Sequence, residues 1–106
     1  MTLKETLNNA FGKEFPISGG LGNSINTPII LDKDGPSDYV GTEYTLLQYI
    51  GALREVTWKR IEQSLMEHNG RYIDQIKIET VKTTDEQVIT QIENYYFDID
   101  YFFRRI

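Results

Sequence analysis

The dipeptide Asn69-Gly70 constrains the fold of this chain more than any other feature. Asn-Gly favours the two-residue turn with left-handed backbone that joins two antiparallel strands. The residues on either side, 56–58 and 72–78, are rich in the β-branched and aromatic side chains that favour strands. We therefore predict a β-hairpin in which residues 54–67 pair with residues 71–82.

The first arm of this hairpin has an alternative. Trp58, Ile61 and Leu65 recur at helical spacing, so a helix over residues 53–68 that ends at Gly70 is also compatible with the sequence. We favour the hairpin because Asn-Gly between two strand-forming runs is the strongest short-range hairpin signal.

The C-terminal residues 95–103 alternate between two faces. One set is Tyr95, Phe97, Ile99, Tyr101 and Phe103, and the other is Tyr96, Asp98, Asp100, Phe102 and Arg104. A period of two predicts a half-buried strand, with Asp98 and Asp100 on its solvent side. Residues 85–94 are compatible either with a short helix capped by Thr84 or with the beginning of this strand.

The N-terminal third predicts a helix and a loop. Residues 2–15 form an amphipathic pattern, and Thr2 with Glu5 has the spacing of a capping box. Residues 16–27 are a glycine-rich loop, followed by a short strand at 28–31 and a turn at 32–38. Residues 39–50 carry β-branched and aromatic side chains on both faces, which predicts a largely covered strand.

Together these elements predict an α+β fold. We expect one two-layer domain over residues 1–106, in which an N-terminal helix packs on a curved antiparallel meander sheet of four to five strands. Its parts are the helix at 2–15, the glycine-rich loop at 16–27 and the sheet at 28–103.

The charge and the hydropathy pattern exclude two classes of partner. With 16 acidic and 11 basic residues the net charge is -5, which argues against nucleic-acid binding because phosphate contacts need a surplus of Lys and Arg. No stretch reaches the ~18–20 apolar residues of a membrane span. The first residues lack the pattern of a secretory signal, and the absence of cysteine gives no information on the redox compartment, so a cytoplasmic location is the default expectation.

Residue types with catalytic chemistry are scarce. The chain has no cysteine and a single histidine, His68, which adjoins the predicted hairpin turn. Asp32 and Asp34 lack the ligand spacing of a calcium loop. We therefore expect no catalytic residue, no cofactor and no metal site, and an enzyme is the less favoured function.

Asp74 is the one carboxylate that we expect to be partly buried, since it shares a strand face with Ile76 and Ile78. Such a carboxylate can serve as an acid when its pKa is raised. The favoured interpretation is an ion pair with Arg54, Arg60 or Lys59 on the neighbouring strand, because structural ion pairs outnumber catalytic acids.

Two segments are candidates for partner binding. Tyr96 and Phe102 would lie beside Asp98 and Asp100 on the outer face of the last strand, and exposed aromatic residues anchor protein interfaces. The alternative is that all these rings belong to the core. The glycine-rich segment 19–24 matches neither a Walker A loop nor a dinucleotide fingerprint, and we expect a connector or a rim that faces the partner through Gly20 and Asn23.

The favoured function is that of a small acidic intracellular domain that binds a protein partner, as an immunity protein or inhibitor would, with preference for a basic partner. One alternative is a small-molecule-binding protein or enzyme, with a pocket between helix and sheet that uses Asp74, Tyr44, Tyr72 and His68. Another is a homo-oligomer that associates through an edge strand.

Residues 58–81, together with the Phe15–Gly20 segment, resemble small bacterial proteins without an assigned activity. This resemblance implies a bacterial or phage origin. It carries over no functional residue.

Overall fold

Five strands form one open sheet in the computed structural model, which describes residues 1–106. The spatial order is β1-β2-β5-β4-β3, and all neighbours are antiparallel except β2 and β5, which are parallel. The strands are β1 (Ile17–Gly19), β2 (Ile29–Leu31), β3 (Thr57–His68), β4 (Arg71–Thr83) and β5 (Val88–Asp98).

The predicted hairpin is confirmed as β3 and β4. Asn69 and Gly70 both have positive φ, 52° and 76°, as the tight hairpin turn requires. The register runs from His68 opposite Arg71 to Thr57 opposite Val81, so the helical alternative for residues 53–68 is wrong.

The meander is confirmed only for β3, β4 and β5. β2 joins the sheet parallel to β5, and β1 lies inside the segment 16–27 that was predicted to be loop. A parallel pair needs a long connection between its strands. The chain between β2 and β5 supplies it, since it contains a helix and the whole β3–β4 hairpin.

The N-terminal helix α1 (Leu3–Phe11) is shorter than predicted, but its capping is as expected. The Thr2 hydroxyl accepts a hydrogen bond from the Glu5 backbone N–H, and the Glu5 carboxylate accepts one from the Thr2 N–H. Gly12 ends the helix in the left-handed conformation.

The prediction of a strand over residues 39–50 is wrong, because Tyr39–Arg54 form helix α2. Asp38 caps it by accepting a hydrogen bond from the Gly41 N–H at 3.0 Å. The side chains that face the sheet are spaced as on a helix, and they are Glu43, Leu46, Leu47 and Ile50. Apolar side chains surround most of this helix, so in the sequence they looked like the two covered faces of a strand.

The C-terminal strand prediction holds only as far as Asp98. β5 begins at Val88, which favours the strand alternative for 85–94 after a turn, and Asp100–Phe103 form the short helix α3. The chain turns because the Asp98 carboxylate accepts a hydrogen bond from the Asp100 N–H at 3.1 Å, and the Asp100 carboxylate accepts one from the Tyr72 N–H at 3.0 Å.

The helices and the sheet form two layers, so the α+β fold is confirmed. α1 and α2 cover the sheet face that carries Ile76, Ile78, Tyr95 and Phe97, and these residues share one apolar core with Leu7, Leu46 and Leu47. The opposite face has no helix over it and carries polar cross-strand pairs such as Lys59 with Glu79 and Gln75 with Asn94. None of the helices is long and apolar enough to cross a membrane.

Gly22 holds the β1–β2 loop against β5, and this position requires glycine. Its φ is +81°, and a Cβ there would lie 2.8 Å from the Ile29 side chain and 3.3 Å from the Tyr96 carbonyl oxygen. We expect Gly22→Ala to lower the free energy of unfolding by about 2–3 kcal/mol in urea titrations. Gly12→Ala is the matched control, because Gly12 has φ +64° and open space around it, and it should cost about 1 kcal/mol. Equal losses in the two variants would contradict the close contact at Gly22.

Candidate functional site

Most of β5 is an unpaired sheet edge on the side that faces β2. β2 pairs only with the end of β5, through Ile29 opposite Phe97 and Ile30 opposite Asp98. One further hydrogen bond, from the Tyr96 N–H to the Gly22 carbonyl oxygen at 2.7 Å, extends this contact. Residues 88–94 have β4 on one side and no strand on the other.

The direction of the free backbone groups follows from Tyr96. Its N–H points toward the β2 side, and N–H groups point to alternate sides along a regular strand. The pairing of β5 with β4 has no register shift over residues 88–98. The N–H and C=O groups of Val88, Thr90, Ile92 and Asn94 therefore point out of the free edge. We call residues 88–94 with these groups the β5 edge.

The other long edge of the sheet, β3, is protected against strand addition. A β-bulge at Ile61 interrupts its register, and Lys59, Arg60, Glu62 and Glu67 place charges along it. Bulges and charged side chains are common means by which proteins block edge-to-edge pairing.

The β5 edge has no such protection over its first half. Residues 88–92 carry no charge, and Val88 and Ile92 are 64% and 56% exposed. Unprotected apolar edges are the ones on which a further strand can add.

An apolar cleft of about 340 Å³ lies beside the β5 edge on the helix side of the sheet. α1, α2, the β1–β2 loop and β5 all contribute to it. Leu21 and Leu53 are exposed at its rim, by 56% and 37%. The lining residues are Leu3, Thr6, Leu21, Asn23, Ile50, Leu53, Arg54, Glu93 and Tyr95.

The charged groups of this cleft neutralise each other. Both Arg54 guanidinium Nη atoms donate to the Glu93 carboxylate, at 2.7 and 2.8 Å, and one also donates to the Tyr95 hydroxyl at 2.8 Å. The hydrogen bond from Arg54 holds the pKa of Glu93 below its usual range, with Thr80 adding a further one. Because this bidentate pair is satisfied internally, the cleft offers apolar surface rather than a free charge.

The glycine-rich loop forms the end of the β5 edge. The Gly20 N–H donates to the Pro28 carbonyl and the Gly22 N–H to the Thr27 carbonyl, both at 2.9 Å, so these amides cannot cradle a phosphate. Gly20 packs against Thr27, where a Cβ would lie 2.6 Å from the carbonyl oxygen. Asn23 is exposed and lines the cleft.

The predicted outer face of the last strand is wrong in its main feature, because Asp98, Asp100 and Phe102 are buried. Phe102 belongs to the core, and Tyr96 is half-buried on the open face of the sheet. The turn after β5 places Asp100 and Phe102 in the short helix α3, where both are buried, and Asp98 at the end of β5 pairs with Arg71. They are therefore not presented to a partner together, and this part of the candidate site is not assembled.

Asp98 and Asp100 instead hold the C-terminus against the β3–β4 hairpin. Asp98 accepts two hydrogen bonds from the Arg71 guanidinium, at 2.6 and 3.1 Å, and Arg104 Nε donates to Asp100 at 2.8 Å. Burial raises the pKa of Asp100, but the hydrogen bonds from Tyr72 and Arg104 outweigh it and leave that pKa lowered. The network is structural.

Asp74 is buried as predicted, but its predicted ion pair is wrong. Gln63 Nε2 donates to Asp74 at 2.6 Å, and no basic side chain contacts it. The basic residues that were predicted to pair with Asp74 have other partners. Arg54 pairs with Glu93, Lys59 with Glu79, and Arg60 contacts the Tyr44 hydroxyl.

A second buried carboxyl group, Glu43 on α2, faces Asp74. Glu43 is fully buried, and neither of its oxygens receives a hydrogen bond from a donor group. Burial raises the pKa of Glu43 to about 10, with the hydrogen bond to Asp74 and its charge acting in the same direction. A pKa of about 10 keeps Glu43 protonated at neutral pH, so this carboxyl group lies between the helix and the sheet without a charge.

The residues of the predicted pocket between helix and sheet are not brought together. Tyr44 reaches Asp74 only through Gln63, whose Oε1 accepts from the Tyr44 hydroxyl at 2.6 Å. Tyr72 packs against Phe103, and His68 contacts Asn26. The clefts of the molecule are lined by neither Glu43 nor Asp74, and no group of three or more His, Cys, Asp or Glu side chains is placed to hold a metal ion.

Comparison of the chain with protein-family models, with curated proteins and with solved structures gives no match.

The β5 edge has a signal in the sequence, at residues 88–92. The run Val88-Ile89-Thr90-Gln91-Ile92 is uncharged and β-branched, which favours an unprotected strand. Glu43 had no such signal, because an isolated glutamate in a run that was interpreted as a strand reads as a surface residue.

The buried proton of Glu43 predicts a pH-dependent stability. A raised folded-state pKa gives stability that is complete below the unfolded pKa of about 4.5 and is lost as pH rises toward about 10. Glu43→Gln removes this dependence because the amide stays neutral. We expect the free energy of unfolding of the variant to exceed that of the wild type by about 2–4 kcal/mol at pH 8 and to match it at pH 4.5, as measured by urea unfolding at both pH values.

Glu86→Gln is the control for this measurement, because Glu86 is exposed in the turn before β5. The difference in the free energy of unfolding between Glu86→Gln and the wild type should not change with pH. A constant difference between Glu43→Gln and wild type from pH 4.5 to pH 8 would show that Glu43 is ionised in the fold.

Proposed function

We propose that this protein is a small binding domain that docks an extended segment of a partner protein onto the β5 edge. The observation that carries the proposal is an unprotected sheet edge directly beside an apolar cleft. In this mode of recognition, main-chain hydrogen bonds to the edge supply affinity, and alternate side chains of the added strand enter a cleft and supply specificity.

The dimensions of the site support a strand as the occupant. The β5 edge offers outward N–H and C=O groups at every second residue from Val88 to Asn94, a run of about 20 Å at 3.3 Å per residue. The loop that carries Leu21 and Gly22 closes one end of this run. A strand laid along it would turn alternate side chains toward Leu21 and Leu53.

The charge of the protein supports a basic partner. A net charge of -5 attracts a positively charged protein over a Debye length and raises the rate of association. The cleft contributes no net charge because Arg54 and Glu93 neutralise each other. Electrostatics would therefore speed the encounter, and the edge and the cleft would fix the register.

An inhibitor or immunity protein would act through such a site by masking a segment that the partner needs. A strand captured on an edge is held by several backbone hydrogen bonds at once, so it is withdrawn from any other contact. Fast association with a basic target is useful to this class of protein, since the target must be neutralised before it acts.

Thr90→Pro tests the proposal. Thr90 is exposed and its N–H points out of the β5 edge, so proline removes a donor needed by an added strand and spares the pairing with β4. Immobilised wild-type protein should retain a specific protein from the native host at low salt, and the variant should retain about tenfold less of it. The retained protein is then purified and its 1:1 binding measured by calorimetry.

A pair of leucine variants provides the matched control. Leu21→Lys alters the rim of the cleft, whereas Leu65→Lys makes the same change on the β3 edge at a similar exposure of 48%. Capture should fall in the first and persist in the second, with both folded by circular dichroism. The proposal is wrong if wild type captures no protein, if all variants capture it equally, or if light scattering shows that a second copy occupies the edge.

A further inference from the structure

We infer that the docked segment runs antiparallel to β5, places an apolar side chain in the cleft opposite Glu93, and carries basic residues beyond the position opposite Val88, which lies five residues further along. This inference rests on the proposed function and names the chemistry of the partner segment. Two features of the site support it, the position of the cleft on the helix side of the sheet and the different side chains at its two ends. The general stability of antiparallel pairing supports the direction.

The apolar position follows from the location of the cleft. Glu93 and Tyr95 are the β5 residues that line it, and both point to the helix side of the sheet. A residue of an added strand that lies opposite Glu93 points to the same side, because paired residues share a face. On that side, the partly exposed Leu21 and Leu53 would contact it. The Arg54 guanidinium is already hydrogen-bonded to Glu93.

The basic position follows from the other end of the edge. The turn that leads into β5 contains Asp85 and Glu86, both exposed. The two ends of the site thus differ in chemistry, one apolar and one acidic. Basic side chains of the segment would complement the acidic end, and this pairing would set the register as well as the orientation.

The strand direction fixes the order of the two features. An antiparallel strand pair is somewhat more stable per residue than a parallel one. A segment that is antiparallel to β5 passes Glu93 first and Val88 five residues later, and beyond Val88 it meets the turn of residues 84–87, which carries Asp85 and Glu86. The expected pattern is therefore an apolar residue followed, from the sixth position onward, by Lys or Arg.

A synthetic peptide tests this pattern with the purified full chain. The probe is the blocked decapeptide Ac-Ser-Leu-Thr-Val-Thr-Val-Thr-Val-Lys-Lys-NH2, added to ¹⁵N-labelled protein. We expect the backbone amide signals of Val88, Thr90, Ile92 and Asn94 to shift on binding. Peptides in which Leu is replaced by Asp, or both Lys by Glu, should bind about tenfold more weakly, and so should the peptide of reversed sequence.

Variants of the protein assign each preference to its end of the edge. Asp85→Asn combined with Glu86→Gln should abolish the preference for Lys over Glu and keep the preference for Leu. Leu21→Ser should weaken the preference for Leu over Asp and keep the charge preference. Glu67→Gln removes an exposed carboxylate from the β3 edge and should change neither.

The outcomes separate this inference from the proposed function. If the peptides shift the β5 amides with equal affinity whatever their Leu or Lys, the inference is overturned and strand docking stands. If the reversed peptide binds best, the antiparallel order is wrong. If no peptide shifts the β5 amides while capture of the host protein still depends on Thr90, the segment chemistry is wrong and the docking edge remains. If capture is also independent of Thr90, both fail.

Discussion

Because the contact between β2 and β5 is short, one long edge of the sheet stays unpaired. β5 has eleven residues, but β2 has three and pairs with only the last part of it. The backbone groups of residues 88–94 therefore face solvent on one side, and a sheet that could have closed against β1 and β2 stays open there. Residues of α1, α2 and the β1–β2 loop line the apolar cleft beside this free edge.

Local signals in the sequence predicted the parts of the fold that local chemistry controls. Asn69-Gly70 placed the β3–β4 turn, and Thr2 with Glu5 placed the start of α1, because in both cases neighbouring backbone groups are satisfied by adjacent residues. α2 was mistaken for a strand because its apolar residues surround most of the helix, and the one capping residue, Asp38, stood among turn residues. The inward turn after Asp98 depends on a contact with Tyr72, 28 positions away from Asp100, which no local pattern reveals.

The candidate site was only partly visible in the sequence for the same reason. Asn23 lines the cleft, and its predicted role in partner binding stays a prediction. Asp98, Asp100 and Phe102 were placed on the outside by strand alternation that stops at Asp98, and the structure buries them. The Glu43–Asp74 pair and the Arg54–Glu93 pair join α2 to the sheet, so each exists only once the two layers have packed. Arg54 and Glu93 are partly buried, at 35% and 22% exposure, so the loss of one partner would leave a charged group unpaired between the layers.

The uncharged run at the start of β5 has a consequence for the free protein itself. Five to seven residues of high β propensity without charge or proline are also the pattern that seeds stacking between chains. Molecules at high concentration can therefore nucleate intermolecular sheets on the β5 edge. We therefore expect the colloidal lifetime of the free chain to shorten as its concentration rises, and the docking proposed for this edge would lengthen it by mass action.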